Sequence, residues 1–210
     1  LTSGASNVAI GYNALSTLTT AGANVAIGHE AMKTHLSGGG NIAIGYRAMY
    51  DTDESAGSGD PGESQHNIFI GHQAGSGTWT TNNSDFNVGI GGYALDGALN
   101  DCNSNIGIGY EALSAVVSGN KNVAIGVHAM AAADGNEGSN IAIGYKALGQ
   151  NNNDSGDENT CIGNESGWAL TGGADNTFIG SETTGSSVNA SNQIVIGKSA
   201  VGQADNSVTL

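Results

Sequence analysis

Short apolar alternations recur along the chain at near-regular intervals. The pattern Asn-(Val/Ile)-(Ala/Gly)-Ile-Gly begins at Asn7, Asn24, Asn41, Asn87, Asn105, Asn122 and Asn140, with variants at Asn67, Asn159 and Asn176. Branched apolar residues two apart, closed by Gly, read as short β-strands ending in a turn. The closing glycines fall at Gly11, Gly28, Gly45, Gly71, Gly91, Gly109, Gly126, Gly144, Gly163, Gly180 and Gly197, so the intervals run from 17 to 26 residues. A constant motif with a variable interval means that loops absorb the insertions. The predicted fold is all-β: a parallel β-solenoid of about twelve coils in one array over residues 1–210. Most coils take about 17 residues, with insertions at 50–66 and 75–86 and shorter units over 192–210. At the strand spacing of about 4.8 Å the stack is ~50 Å long.

Within each coil the positions sort by slot. The Ile slot (Ile10, Ile27, Ile44, Ile70, Ile90, Ile108, Ile125, Ile143, Ile162, Ile179, Ile196 and Leu210), with Val8, Val25 and their equivalents, is expected to line the core. The slot between them faces the other way and is uncharged throughout. An uncharged second face is expected to be covered, and its small residues Ala9, Ala26, Ala43, Gly89, Gly107, Ala124 and Ala142 are the candidates for contact with further copies in a homotrimer. After the Gly comes Tyr-x-Ala-(Leu/Met), as in Tyr12–Leu15, Tyr46–Met49, Tyr110–Leu113 and Tyr145–Leu148, predicted to be a turn folding Ala and Leu onto the core. Its variable position (Asn13, Glu30, Arg47, Gln73, Glu111, His128, Lys146, Glu165, Glu182) reads as outward. The recurring Asn is expected at a coil corner, in left-handed geometry, able to form a ladder along the axis.

Composition fits this picture. Gly supplies 35 of 210 residues and aromatic residues only 5%, against 38% hydrophobic and 11% charged, a turn-rich all-β balance without a bulky core. The formal charge of −14, with no two basic residues close in sequence, argues against nucleic acid as a partner. Three copies would repel one another and call for screening by salt or divalent cations, which suits an extracellular medium. No apolar run is long enough to span a bilayer. The first residue is not Met and the final unit stops before its Gly, so the segment is expected to belong to something longer.

The candidate chemistry is sparse. Cys102 and Cys161 lie three coils apart, roughly 14 Å along the axis and beyond the ~7 Å Cα reach of a disulfide, which predicts two free thiols. The histidines His29, His35, His66, His72 and His128 show no zinc-ligand spacing. Acidic groups cluster at Asp51, Asp53, Glu54, Asp60 and Glu63, and again at Asp154, Asp157 and Glu158. No cofactor is expected; structural calcium is the one ion these oxygen-rich loops suggest, and neither group has the twelve-residue calcium-loop spacing. Nucleophile elbow, phosphate loop and metalloprotease motifs are absent from the sequence, so no catalytic residue is expected. The loops carrying Asp51, Asp53, Glu54, Asp60 and Trp79 are candidate receptor contacts. Trp79 could stack on a sugar or pack over its own loop.

The Asn-Val-Ala-Ile-Gly units resemble the repeats of trimeric autotransporter adhesin heads, and the resemblance covers nearly the whole chain. It implies a left-handed parallel β-roll trimer. The longer interval and the Gly-Tyr-x-Ala-Leu extension look still more like bacteriophage tail-fibre repeats. Ala204-Asp-Asn-Ser-Val-Thr-Leu210 is similar to the stretch before their C-terminal intramolecular chaperone, which implies a self-cleaving trimerisation chaperone after Leu210. The expected function is a structural and adhesive fibre segment, extracellular, on a virion tail fibre or a bacterial cell surface. Its expected partners are its own copies, other fibre or virion proteins and a cell-surface glycan or protein receptor, with no membrane insertion. A tailspike-like glycan depolymerase and a single-chain ice- or surface-binding solenoid are the alternatives.

Overall fold

The computed structural model describes residues 4–52, 64–79, 83–152 and 156–210. Twelve short strands form within them: β1 (Val8–Ile10), β2 (Val25–Ile27), β3 (Ile42–Ile44), β4 (Ile68–Ile70), β5 (Val88–Ile90), β6 (Ile106–Ile108), β7 (Val123–Ile125), β8 (Ile141–Ile143), β9 (Thr160–Ile162), β10 (Thr177–Ile179), β11 (Ile194–Ile196) and β12 (Val208–Thr209). They make one parallel sheet in sequence order, each strand paired with its neighbours in the chain. The predicted β-solenoid is therefore the fold. Register holds slot on slot even across the longest interval, where Ile42, Ala43 and Ile44 pair with Ile68, Phe69 and Ile70.

The core is the reverse of the expected one. Ala26, Ala43, Gly89, Gly107, Ala124 and Ala142 are fully enclosed within their own chain, whereas the flanking Val and Ile residues are half-buried or exposed. Ala9 is exposed because its coil is the first described and has a neighbour on one side only. The middle slot is thus the inside of the coil and not a surface for other copies, and the Ile slot points outward. Coil width gives the reason. A coil of about 17 residues has a narrow interior, already filled by the turn residues Ala31 and Met32, Ala94 and Leu95, Ala112 and Leu113, all buried. Only a small side chain fits between the strand and those residues: a Cβ on Gly107 would lie 3.3 Å from the Leu95 side chain. The predicted folding of Ala and Leu onto the core is what the turn does.

Where the middle slot is large, the turn shrinks. Phe69 is buried and its coil has Gly75 in place of Leu; a Cβ on Gly75 or on Gly89 would run into the Phe69 ring. A third inward column completes the core with Leu18, His35, Thr52, Trp79, Leu99, Val116, Ala133 and Leu170. Its polar pair is matched internally, because the His35 ring lies 3.0 Å from Thr52 Oγ1 through Nδ1 and 3.0 Å from the Gly38 carbonyl through Nε2. Those distances assign the tautomer: Nε2–H donates to Gly38 and Nδ1 accepts from Thr52.

The expected Asn ladder is present and buried. In each step the backbone N–H of one Asn donates to Oδ1 of the Asn in the coil before it, from Asn24 on Asn7 at 2.9 Å through Asn176 on Asn159 at 3.1 Å, ending with Gln193 on Asn176 at 3.0 Å. The side-chain amide reaches forward as well: Asn105 Nδ2 donates to the Gly119 carbonyl at 2.8 Å. The Asn itself is not the left-handed residue. That geometry belongs to the residue before it, as at Ala23, Ser104, Lys121 and Ser139, with φ near 60°.

Candidate interaction face

Strand alternation with a buried middle residue turns every first and third strand residue outward. The outward face is consequently two parallel columns running the length of the sheet. One holds Val8, Val25, Ile42, Ile68, Val88, Ile106, Val123, Ile141, Thr160, Thr177, Ile194 and Val208; the other holds the Ile slot. No charged residue interrupts either column. Exposure is substantial for side chains of this type, 37% for Ile141 and Ile162 and 39% for Ile196. A face of this kind on a chain of charge −14 is a long uncharged stripe on an otherwise acidic molecule.

The closing Gly bends the chain away from this face. At Gly28, φ is 138° and an added Cβ would collide with the carbonyl of Gly45 in the next coil, and the same holds at the equivalent glycines from Gly11 to Gly180. Only Gly can occupy the slot, and its constancy follows from that close approach. Beyond it, the Tyr slot and, in two coils, the variable position that follows it build a column of rings: Tyr12, His29, Tyr46, His72, Tyr93, Tyr110, His128 and Tyr145, with successive centroids 5.1 to 6.4 Å apart. His29 and His72 take the Tyr slot, as their positions in the repeat predict. The sequence pattern did not reveal that the rings would touch, although one ring per coil within two residues of the closing Gly is itself the signal.

Next to the ring column lies an ion cluster. Glu30 accepts from Lys33 Nζ at 2.8 Å and from Arg47 Nε at 2.7 Å, while the Arg47 guanidinium lies 4.8 Å from the Tyr50 ring centroid. Both cations hold the Glu30 carboxyl below the usual range, the Lys33 hydrogen bond most. Glu30 is consequently buried, an exception among the variable turn positions, which are otherwise half-buried or exposed. The expectation that every one of them looks outward fails at this coil.

Of the candidate receptor contacts, Asp53, Glu54 and Asp60 lie outside the described residues. Asp51 is half-buried and ties coils together, accepting from Thr78 Oγ1 at 2.7 Å and, more loosely, from Thr34 Oγ1 at 3.4 Å. Trp79 is 1% exposed and packs edge-on against Phe69 with centroids 5.7 Å apart. It is a core residue, unable to stack on a sugar as placed, because the 75–86 insertion folds its ring into the third inward column. An exposed aromatic that the slots did not single out is Phe86, 59% exposed and stacked on His66 at 5.3 Å.

Both thiols are free and buried. Burial pushes the Cys102 thiol up to about 12 and the Cys161 thiol higher still, so neither is a nucleophile near neutrality. Among the described residues no group of three or more His, Cys, Asp or Glu is placed to hold a metal ion. Asp157, one of the acids considered for calcium, instead accepts the Gly138 N–H at 2.6 Å. No helix among the described residues is long and apolar enough to cross a membrane.

Comparison with known proteins adds no relative: no family model, no curated protein and no solved structure matches the chain.

Proposed function

We propose that the chain is a structural and adhesive fibre segment that assembles as a homotrimer through the outward Val/Ile face of its sheet. The observation that carries this reading is the pair of uninterrupted, uncharged columns along all twelve strands. Their exposed members, among them Ile10, Ile141, Ile162, Ile179, Ile194 and Ile196, run from one end of the sheet to the other, and a long uncharged strip of this kind is what a partner surface covers. A second or third copy is the natural cover, because its columns repeat at the same strand spacing and can interdigitate along the whole length. The stack supplies extension, and the insertions at 50–66 and 75–86 reach a cell-surface glycan or protein receptor. The setting is extracellular, on a virion tail fibre or a bacterial surface, beside other fibre proteins. The segment does no catalysis in this reading; glycan turnover abolished by a single Asp or Glu substitution would favour the depolymerase instead.

The test is light scattering on the chain and two single variants. Ile125→Glu puts a charge on the outward face and is expected to give a folded monomer. Ala124→Glu puts one in the sealed interior and is expected to disrupt the fold itself, costing several kcal/mol. A wild-type chain that stays monomeric would sink the assembly. The regular Val/Ile array would then favour a single-chain surface-binding solenoid.

A further inference from the structure

The ring column changes its packing halfway along. Tyr12, His29, Tyr46 and His72 stack with interplanar angles of 15° to 28°, but from His72 onward the rings meet edge-on at 60° to 89°. The cause is a one-residue displacement in two coils: Gly92 and Val127 occupy the ring slot, and Tyr93 and His128 follow them, each at φ 57°. Tyr110, in the coil between, keeps the ring slot, so its ring and that of Tyr93 lie 5.8 Å apart at 81°. Beside this pair opens a hollow of about 300 Å³, lined by Tyr93, Asp96, Tyr110, Glu111, Ser114 and Ala115.

Two carboxylates face this hollow. Glu111 is engaged by His128 Nδ1 at 3.1 Å and by the Tyr110 hydroxyl. Asp96 is half-buried with no side-chain partner among the described residues. Its burial, with the Glu111 charge nearby, pushes its carboxyl up to about 6, as expected of an anion lacking a counter-charge. No Lys or Arg lines the hollow. The surroundings therefore favour a positive guest, and the walls decide which kind. A hard metal ion needs six or more oxygen ligands, whereas two carboxylates and two tyrosine rings suit a cation with an apolar exterior.

We propose that this hollow binds an organic ammonium group, held by Asp96 and Glu111 and faced by the rings of Tyr93 and Tyr110. The shared chemistry has two sources, a quaternary choline-type headgroup or the protonated amine of an amino sugar. The proposal does not depend on trimer formation through the Val/Ile face. It is tested by ligand titration of the assembled chain, following the ring protons of Tyr93 and Tyr110 by NMR. Choline and glucosamine are the probes; N-acetylglucosamine, which lacks the charge, and sodium chloride are the controls. Saturable shifts are expected with choline, glucosamine or both, and whichever saturates identifies the source. Asp96→Asn and Tyr110→Leu should each weaken binding about tenfold, and Glu182→Gln on a distant coil should leave it unchanged. Shifts that merely track the sodium chloride control, or unaltered affinity in Asp96→Asn, would overturn the site.

Discussion

Coil seven shows how much unusual backbone a single turn of the solenoid accepts. Lys121, His128 and Met130 sit at φ 60°, 57° and 48°, and Gly126 at 138°. Each non-glycine residue there costs roughly 1 kcal/mol, offset by inter-coil bonds such as Lys121 N–H to Asn103 at 3.0 Å and Met130 N–H to Ala147 at 3.0 Å. Lys121 is exposed, so Lys121→Gly should raise stability by about 1 kcal/mol in denaturant unfolding. Gly126→Ala should cost about 3 kcal/mol or more, since the new methyl would lie 2.6 Å from the Gly144 carbonyl carbon. Asp96 carries a pH signature. Its folded carboxyl is raised from 3.8 to about 6, so the folded chain holds the proton more tightly than the unfolded one, and stability falls as pH rises from about 4 through 6. Asp96→Asn should therefore raise stability at pH 7 by about 1 kcal/mol after solvent screening, and leave it unchanged near pH 4, as unfolding at the two pH values checks. The Gly slot was legible from its constancy. The left-handed Leu and Met were not, because intrinsic preference opposes that geometry and only the stack imposes it.

Strand and turn compensate for each other within the coil. Phe69→Ala should cost about 3–5 kcal/mol by leaving a cavity, and Gly75→Leu alone should clash with the ring. Combined, they recreate the common Ala-plus-Leu coil, and Leu95 at φ 52° shows that this slot tolerates the backbone. A double-mutant cycle should return a coupling of at least about 1 kcal/mol. The ladder is equally testable: Asn105→Ala strands the Asn122 N–H, leaves the Gly119 carbonyl only the weak Cys102 thiol donor, and should cost about 1–3 kcal/mol. The repeat announced that ladder, but a second one went unread. Asp or Asn two positions earlier accepts from the preceding coil with opposite polarity, as when Asp85 N–H donates to Asn103 Oδ1 at 2.8 Å and Asn103 N–H to Asn120 Oδ1 at 2.6 Å. Its signal is the (Asp/Asn)-x-Asn spacing in Asp85–Asn87, Asn103–Asn105 and Asn120–Asn122. Strand positions and turns were legible from period and punctuation. The facing of the strand was not, because hydrophobicity alone ranks Ile above Ala for a core, whereas a narrow coil selects by volume.

At the scale of the whole molecule, charge opposes assembly and the Val/Ile face favours it. Self-association should therefore strengthen between about 20 mM and 300 mM salt, which sedimentation can follow, because screening weakens repulsion among copies of charge −14 and leaves apolar contact intact. The overall solenoid was legible from its repeat. The hollow at Tyr93 was not, since it depends on a ring displaced by one residue against its neighbours. One feature of the sheet bears on load: each strand pairs only with the strands before and after it in the chain. Tension applied at one end therefore meets a single interface at a time, and the solenoid should peel coil by coil. Each step of 17 residues should release about 55–60 Å of slack chain. A single chain of this kind would behave as a graded shock absorber, lengthening in near-equal increments under pull and rewinding from its intact end.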